Sequence, residues 1–408
     1  MTDIMKGVRI LEVAEHTFVP AASAILADWG AEVIKIEHIE RGDAMRGLAS
    51  SGVMSMAGPV HVLLEHSNRG KKSIGVDLTT EKGVELVYKL AATCDVFLTN
   101  KLPNVRRKLR IEIETIRAHN PNIIYVAGTG GGERVPDADK GGYDFLSYWC
   151  RAASAMGCTP PDAEGLTVQP APGYGDSIGG MTIAGGIMGA LFHRERTGEA
   201  VSVDVSLLGV GLWSMSPAVA LSLQTQRPWR PPPTSSAGGG PANPLVGTYR
   251  TQDGRFLAFS CLQGFHYWPL ACRAIGREDL IADQRFTSHE LLSANAAAAR
   301  EILAGVFSAA PLAEWRARLA NFEGQWSFAQ DSLEAVTDPQ VVANGYVGET
   351  QTADGVPFQL VTTPVQFGGV AAPPKRAPEF NEHCEEILAS IDCDTEAMVE
   401  LKLEGIVA

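Results

Sequence analysis

Short apolar runs alternate with helix-like segments through the first half of the chain. Runs rich in β-branched residues predict five buried strands: Val8–Val13, Glu32–Glu37, Ile74–Asp77, Val96–Thr99 and Ile123–Ala127. Helical spacing of apolar residues separates them, at Ala21–Trp29, Thr80–Cys94 and Glu112–His119. This alternation predicts βαβ units and a mostly parallel sheet. The turn after the first strand, VAEHTFVPAA, contains no glycine, which disfavours a nicotinamide-binding enzyme because that class needs G-x-G-x-x-G there.

The second half of the chain has a different pattern. Helical spacing continues from Leu208 to about Leu223, and the Pro-, Gly- and Ser-rich QRPWRPPPTSSAGGGPANP then predicts a loop at a domain boundary. A hairpin turning at Asp253-Gly254 and several helices follow, at Tyr267–Ile275, Ala296–Phe307 and Leu312–Asn321. Short strands are expected within Val341–Gly369, and two helices at Asn381–Ile391 and Thr395–Glu404. The predicted fold is therefore α/β, with a Rossmann-like large domain and a smaller α+β domain.

Composition narrows the possible functions. The chain is 45% apolar and 20% charged, which is ordinary for a globular protein. A net charge of −13 disfavours nucleic-acid and membrane partners without excluding an anionic ligand. The seven cysteines are scattered and form no C-x-x-C pair, so neither disulfides nor a metal site is expected. The N-terminus has no signal-peptide pattern, and a cytoplasmic location is expected.

The segment Gly173–Leu208 carries the most informative chemistry. Asp176 lies directly ahead of an apolar helix, and no basic residue follows it within sixteen positions. The positive potential of a helix start favours an ionised carboxylate. The neighbouring glycines are expected to let a ligand reach the backbone: Gly173, Gly175, Gly179 and Gly180. Such a carboxylate can attack an acyl carbon beside free N–H donors, although an Asp at a helix start is also a common structural N-cap.

The order of segments here resembles family III CoA-transferases, which include carnitine-CoA and formyl-CoA transferases and α-methylacyl-CoA racemases. The resemblance rests on the GD-x-x-x-G segment at Asp176, the turn Arg194–Gly198 and the strand Val203–Leu207. It implies that Asp176 is the acyl-accepting nucleophile and that two subunits form an interlocked homodimer. It also implies that the last segment packs back on the first domain. The expected domains are a large CoA-binding domain over 1–200, completed by 375–408, and a small domain over 226–330, joined by linkers at 201–225 and 331–374.

Basic residues cluster at three predicted loops and could hold the phosphates of CoA. The clusters are Lys35 with Arg41 and Arg46, Arg69 with Lys71 and Lys72, and Arg106 with Arg107 and Lys108. Any one of them alone is more typical of a solvated surface group, but three clusters at successive loops favour a ligand, because ligands of such folds lie in loops at strand ends. Together with the resemblance, this gives the candidate CoA contacts His16, Thr17, Phe18, His38, Lys71, Lys72, Asn100, Lys101, Lys108 and Leu109. CoA or acyl-CoA is expected as a substrate, without a metal.

Departures from the family pattern bear on the substrate. Leu102 stands where many members have Arg, and Lys101 beside it could act as a point charge without the bidentate fork. Phe18-Val19-Pro20 replaces the usual A-G-P. Thr17 stands where formyl-CoA transferases have Gln, which disfavours formyl-CoA:oxalate exchange.

The segment Gly141–Ser147, GGYDFLS, separates two activities of the family. Racemases have G-H-D here, whereas this chain has Tyr143, whose ordinary pKa near ~10 makes it a poor base. CoA transfer is therefore favoured, with Tyr143 lining the site and Asp144 either an orienting acceptor or a helix N-cap. Gly239 and Gly240 belong to a glycine run that is either a lid over the intermediates or a flexible linker. A racemase-like isomerase and a non-catalytic acyl-CoA-binding protein remain the alternatives.

Overall fold

A six-stranded parallel sheet organises the larger part of the chain. The computed structural model describes residues 3–50, 58–233 and 242–408. The strands are β1 (Arg9–Val13), β2 (Glu32–His38), β3 (Lys72–Val76), β4 (Val96–Thr99), β5 (Ile124–Thr129) and β6 (Ser202–Ser206). Their order is β3-β2-β1-β4-β5-β6, and every neighbouring pair is parallel. This is the strand order of doubly wound Rossmann folds, so the α/β prediction is confirmed.

Helices lie between these strands along the chain and follow the last of them. They are α1 (Phe18–Asp28), α2 (Val62–Asn68), α3 (Glu81–Ala92), α4 (Pro103–Leu109), α5 (Ile113–His119), α6 (Ser154–Cys158), α7 (Tyr174–Thr197), α8 (Leu207–Ser214) and α9 (Ser216–Thr225). A 3₁₀ helix spans Ala44–Ser50, and a π-helix spans Phe145–Arg151. Apolar residues of α1 and α7 pack on one face of the sheet, and those of α3 and α5 on the other. Burial on both faces explains why the strands read as continuous apolar runs.

The segment expected as a linker, 201–225, differs from that prediction. It begins with β6, which pairs with β5, and continues into α8 and α9. The single helix predicted to reach Leu223 is broken at Met215, since Pro217 stands at the start of α9 and favours a first turn over a helix interior. This segment lies in the same compact unit as the sheet, which comprises Met1–Cys158, Leu166–Trp229 and Pro339–Ala408.

The second compact unit comprises Thr159–Gly165 and Arg230–Asp338. Its antiparallel sheet has strands β7 (Val246–Arg250), β8 (Phe256–Ser260) and β9 (Trp326–Phe328). The predicted hairpin between β7 and β8 is confirmed, with Gly254 at a φ of 79° in the turn. Its helices are α10 (Gly264–Ala274), α11 (His289–Ala294), α12 (Ala296–Phe307), α13 (Leu312–Arg318) and α14 (Ser332–Val336), with a 3₁₀ turn at Glu278–Ile281. Buried aromatic side chains, among them Trp268, Phe307 and Trp315, form its core.

The remaining C-terminal elements belong to the first unit. They are α15 (Pro339–Ala343), the antiparallel strands β10 (Val347–Gln351) and β11 (Pro357–Val361), α16 (Cys384–Ala389) and α17 (Thr395–Leu403). The stretch 331–374, expected as a returning linker, thus carries α14, α15 and a β-hairpin. Ile387, Leu388 and Val407 join the core on the α3 face of the sheet. Among the described residues, no single helix is long and apolar enough to cross a membrane, although two bent helix pairs reach that length and composition together.

Candidate active site

A cavity of about 350 Å³ lies where strands β1, β4 and β5 end, and Asp176 is part of its wall. The carboxyl ends of parallel strands share one edge of the sheet, where ligands of such folds bind. The loops after the three strands line the cavity, together with the first turn of α7 and Leu207 of α8. Of the residues predicted for the site, it brings together His16, Phe18, Asn100, Lys101, Tyr143 and Asp176. Its other lining residues are Leu102, noted above only as a departure from the family pattern, and Glu15, Val105, Thr129, Leu207 and four glycines, Gly128, Gly130, Gly141 and Gly142.

A second cavity of about 210 Å³ lies along the same sheet edge. It is formed by the residues that follow β1, β2 and β3, and it includes the predicted contacts His38 and Leu109. Glu15, Lys101 and Val105 line both cavities, so the two are neighbours. The strand ends therefore offer an elongated binding region that leads toward Asp176.

Asp176 is the third residue of α7, and Gly173 is the N-cap residue, with a φ of 69°. No hydrogen bond or ion pair reaches the Asp176 carboxylate from within the described residues 3–50, 58–233 and 242–408. Burial, and then the negative charge of Asp144, raise its pKa to about 7. The helix potential favours the ionised form of this carboxylate, but burial acts in the opposite direction and outweighs it here. Close to neutral pH the group exists in both protonation states.

Asp144 holds the start of α7 from outside that helix. Its Oδ2 accepts the backbone N–H of Gly175 at 3.0 Å and the Nε2–H of Gln169 at 2.6 Å. It makes no capping hydrogen bond to its own π-helix, so of the two predicted roles it has the acceptor role. Burial raises the pKa of Asp144 as well.

Three of the glycines around Asp176, Gly175, Gly179 and Gly180, lie against neighbouring protein groups, whereas a Cβ on Gly173 would meet nothing nearer than 3.4 Å. A Cβ on Gly175 would lie 2.3 Å from Tyr148 Cγ and 2.4 Å from Asp144 Oδ1. A Cβ on Gly179 would lie 2.3 Å from the ring of Phe18. Glycine is needed at these positions because the backbone of α7 lies so close to side chains from α1 and from the segment at the π-helix that a Cβ would not fit.

His16 and Tyr143 meet across the cavity, with ring centroids 5.6 Å apart and ring planes at 86°. His16 adopts a φ of 69°, which is costly for a residue with a Cβ. Its backbone N–H donates to Asp43 Oδ1 at 2.9 Å, which fixes the loop after β1. Thr17 is the exception among the predicted contacts of this loop, since its side chain is 3% exposed and lines neither cavity.

Several of the cationic side chains predicted to hold CoA are instead paired with buried carboxylates. Lys35 Nζ lies 2.6 Å from Glu12 Oε1 and 2.8 Å from Asp43 Oδ2, and all three side chains are fully buried. Lys71 Nζ lies 2.7 Å from Glu12 Oε2 and donates to Pro20 O at 2.9 Å. The prediction that Lys71 contacts CoA is therefore wrong, because its buried amino group is held by Glu12 of β1 and Pro20 of α1.

Lys72 is also misplaced by the sequence prediction. It is the first residue of β3 and so stands at the amino end of the strand, opposite the edge that holds both cavities. Its Nζ pairs with Glu32 at 2.6 Å and with Glu386 at 2.7 Å. Lys108 is exposed on α4 and lines neither cavity.

Two cations remain at the cavities, and both face Glu15. Lys101 Nζ lies 2.8 Å from Glu15 Oε2, and the Arg41 guanidinium, 63% exposed, lies 3.6 Å from Glu15 Oε1. The other predicted arginines pair with carboxylates: Arg46 with Glu37, Arg69 with Asp28, Arg106 with Glu133 and Arg107 with Asp139. Glu15 is a charged site residue that the sequence analysis did not identify, although its place two residues beyond a predicted strand could have indicated it. Gly239 and Gly240 lie outside the described residues.

The described residues contain no group of three or more His, Cys, Asp or Glu side chains arranged to hold a metal ion. The site is thus made of one unpaired carboxylate, aromatic and apolar walls and two cations. These groups fit a nucleophile that meets an anionic, partly apolar ligand.

Comparison with known proteins identifies the family. A model of CoA-transferase family III matches residues 5–384. (R)-2-hydroxy-4-methylpentanoate CoA-transferase from Clostridioides difficile is 27% identical, over 98% of each chain. A probable fatty acyl-CoA transferase from Mycobacterium tuberculosis is 30% identical, over 92% of this chain and 96% of the relative. The crystal structure of a CaiB/BaiF family protein from Brucella suis has a TM-score of 0.80 at 27% identity and covers 96% of this chain and 100% of that chain. Since the family model spans nearly the whole sequence, the chain belongs to CoA-transferase family III.

Proposed function

We propose that the protein moves CoA from an acyl-CoA donor to a free carboxylic acid through covalent intermediates on Asp176. The observation that carries this is the unpaired Asp176 carboxylate in the wall of the 350 Å³ cavity at the strand ends. A carboxylate with a raised pKa is, once ionised, a stronger nucleophile than an ordinary one. The cavity wall keeps it largely away from water, which would hydrolyse an activated acyl group.

The proposed reaction is a series of acyl transfers through covalent intermediates on Asp176. An Asp176 oxygen attacks the thioester carbon, and the C–S bond breaks to give a mixed anhydride and CoA thiolate. The thiolate attacks the Asp176 carbonyl carbon, so that an aspartyl-CoA thioester forms and the donor acid leaves as a carboxylate. The acceptor carboxylate then attacks this thioester and expels the thiolate, which attacks the acceptor's acyl carbon and restores Asp176.

The walls of the cavity favour an acyl chain without a second charge. Phe18, Leu102, Val105 and Leu207 are apolar, and Leu102 stands where an arginine could otherwise meet a second carboxylate. The names of the relatives from Clostridioides difficile and Mycobacterium tuberculosis both describe acids with an apolar chain. Monocarboxylic acids with an apolar chain are therefore the acceptors that we propose to screen first.

We also propose a homodimer. Large apolar side chains stand exposed on α7, α8 and α9, and Trp213 is 80% exposed. Such a surface on a folded chain is usually covered by another subunit. Sedimentation of the intact protein at working concentration should give twice the monomer mass, and a stable, active monomer would contradict the proposal.

The covalent step is tested by trapping. The protein is incubated with an acyl-CoA and then with hydroxylamine, and its peptides are read by mass spectrometry. A hydroxamate at Asp176 that is absent from Asp176→Asn supports the mechanism. Asp137→Asn is the control, because Asp137 pairs with Arg151 at 3.0 Å and lines neither cavity. Acyl exchange that continues in Asp176→Asn would refute the nucleophile assignment.

A further inference from the structure

A histidine from a separate helix reaches the turn that carries Asp176. His66 belongs to α2, and its Nε2 lies 3.1 Å from the Oγ of Ser177, the residue that follows Asp176. His66 lines neither cavity, so it does not touch a bound substrate there. The contact joins two elements that are 111 residues apart in sequence.

The Ser177 hydroxyl makes two hydrogen bonds, and the chemistry of its two partners decides which of them it donates. Ser177 Oγ lies 2.8 Å from the carbonyl oxygen of Gly173, and a carbonyl can only accept. The Ser177 hydroxyl therefore donates to Gly173 and accepts from the Nε2–H of His66. Burial, and then the positive charge of Arg69, lower the pKa of His66 to about 4, so the ring is neutral and carries its single N–H on Nε2.

This chain of hydrogen bonds closes the first turn of α7. The Gly173 carbonyl also accepts the backbone N–H of Ser177, at 2.8 Å. Gly173 has no side chain with which to cap the helix, so the turn depends on partners from outside it. Asp176 lies inside this turn, and no described hydrogen bond or ion pair holds its carboxylate, so a shift of the turn also shifts the carboxylate.

His66 is itself held in place through Arg69. The Nη1 of Arg69 donates to the His66 carbonyl at 3.3 Å, and its Nε donates to Asp28 Oδ2 at 2.8 Å. Asp28 is the last residue of α1, the helix that packs against α7 in the core. The backbone at His66 is thus tied to α1, which packs against the helix whose first turn His66 contacts.

We propose that His66 is a positioning residue for Asp176, acting through Ser177 on the first turn of α7. The inference rests on the proposed function in that the positioned group is the nucleophile. His66 exchanges no proton with substrate. It places the Asp176 oxygen for attack, so its loss should slow acylation and leave CoA affinity unchanged.

Four variants separate this role from simple packing. His66→Gln keeps an N–H donor close to the Nε2 position, whereas His66→Leu keeps bulk and loses the donor. Ser177→Ala removes the hydroxyl that links His66 to Gly173. The double variant His66→Leu/Ser177→Ala tests whether the effects of the two substitutions are additive. Single-turnover acylation of Asp176, the Kd of CoA and hydrogen exchange of the peptide spanning 173–180 are measured for each.

We expect His66→Leu to slow acylation by about tenfold, as for the loss of one hydrogen bond, and Ser177→Ala to slow it by at least as much, because that variant also loses the bond to the Gly173 carbonyl. His66→Gln should stay within about threefold of the wild type, and the double variant should be no slower than Ser177→Ala alone. Exchange of the α7 amides should quicken in His66→Leu and not in His66→Gln. Equal rates for His66→Leu and His66→Gln, or additive losses in the double variant, would overturn the proposal.

Two further outcomes are distinguishable. If His66→Leu fails to fold, Ser177→Ala decides, because it removes the same contact without disturbing α2, and unchanged acylation in that variant overturns the inference. If the wild type forms no adduct at Asp176, the proposed function fails instead. The amide exchange of the His66 variants then supports or overturns the positioning role on its own.

Discussion

The Asp144 carboxylate accepts the backbone N–H of Gly175 at 3.0 Å, one residue before Asp176. One carboxylate therefore caps the helix that carries the other and raises its pKa, second only to burial. The two effects share a single side chain but depend on different properties of it. Capping needs an acceptor oxygen, whereas the effect on the pKa needs a negative charge, so a substitution can separate them.

Asp144→Asn should shift the pH dependence of acylation to lower pH. The amide oxygen still accepts the Gly175 N–H, but the negative charge that raises the pKa of Asp176 is gone. Between pH 6 and pH 8.5, the rate at pH 6 relative to the upper plateau should rise about two- to threefold. The profile is measured by single-turnover acylation, with Asp137→Asn as the control. A midpoint that stays in place or rises would show that Asp144 does not act on Asp176 through its charge.

Asp176→Asn should make the folded protein more stable at pH 8 than the wild type. The folded-state pKa of about 7 is above the usual 3.8, so the folded state holds the proton more tightly than the unfolded state does. Wild-type stability from this group is complete below about pH 4 and is lost as pH rises through 7, whereas Asn does not titrate. The gain should not exceed about 4 kcal/mol, at about 1.4 kcal/mol per pH unit.

Chemical denaturation at pH 5 and pH 8 measures this difference. The gain from Asp176→Asn should be smaller at pH 5, where the wild-type carboxyl is still mostly protonated. A variant that is less stable than the wild type at both pH values would mean that the carboxyl is not destabilised by burial.

The sequence predicted the sheet well because its strands are buried on both faces and read as apolar runs. Val96–Thr99 matches β4 residue for residue. The sequence analysis missed α2 and the π-helix at Phe145–Arg151, because they are only seven residues long and their spacing is set by tertiary packing. The sequence analysis therefore gave no indication of a role for His66.

The sequence predicted those site residues whose place in the fold depends only on how soon they follow a strand. His16 comes three residues after β1 and Asn100 directly after β4, and parallel strands bring such positions to one edge. Lys71 could not be placed, because its partner Glu12 lies 59 residues away and nothing local indicates a buried ion pair. The pKa of Asp176 was also beyond local reasoning, since it depends on burial and on Asp144 from another segment.

Lys101→Ala should weaken CoA binding by about tenfold, the effect of losing one hydrogen bond to a charged group. Lys101 lines both cavities and is held 2.8 Å from Glu15, from which an anionic ligand can draw it. Lys108→Ala is the matched control, since Lys108 is exposed and lines neither cavity. Calorimetric titration with CoA at two salt concentrations measures both. Equal Kd values for the two variants would remove Lys101 from the CoA site.

Tyr143→Phe distinguishes transfer from isomerisation. Tyr143 lines the cavity with its ring edge-to-face with His16, and its side chain is 65% exposed. Phenylalanine keeps the ring and loses at most one hydrogen bond to a substrate, worth roughly 0.5–1.5 kcal/mol. CoA exchange should therefore fall by about tenfold or less.

Loss of a proton-transferring base would have a larger effect on the same variant, typically ~10²–10⁴-fold. The decisive measurement is made in D₂O with a chiral 2-methylacyl-CoA. We expect CoA exchange without deuterium at the α-carbon, reduced by about tenfold or less in Tyr143→Phe. Rapid α-deuteration by the wild type that is lost in Tyr143→Phe would make Tyr143 a base and the protein an isomerase. Deuteration that persists in the variant would assign the proton transfer to another group in the cavity and would equally contradict a pure transferase.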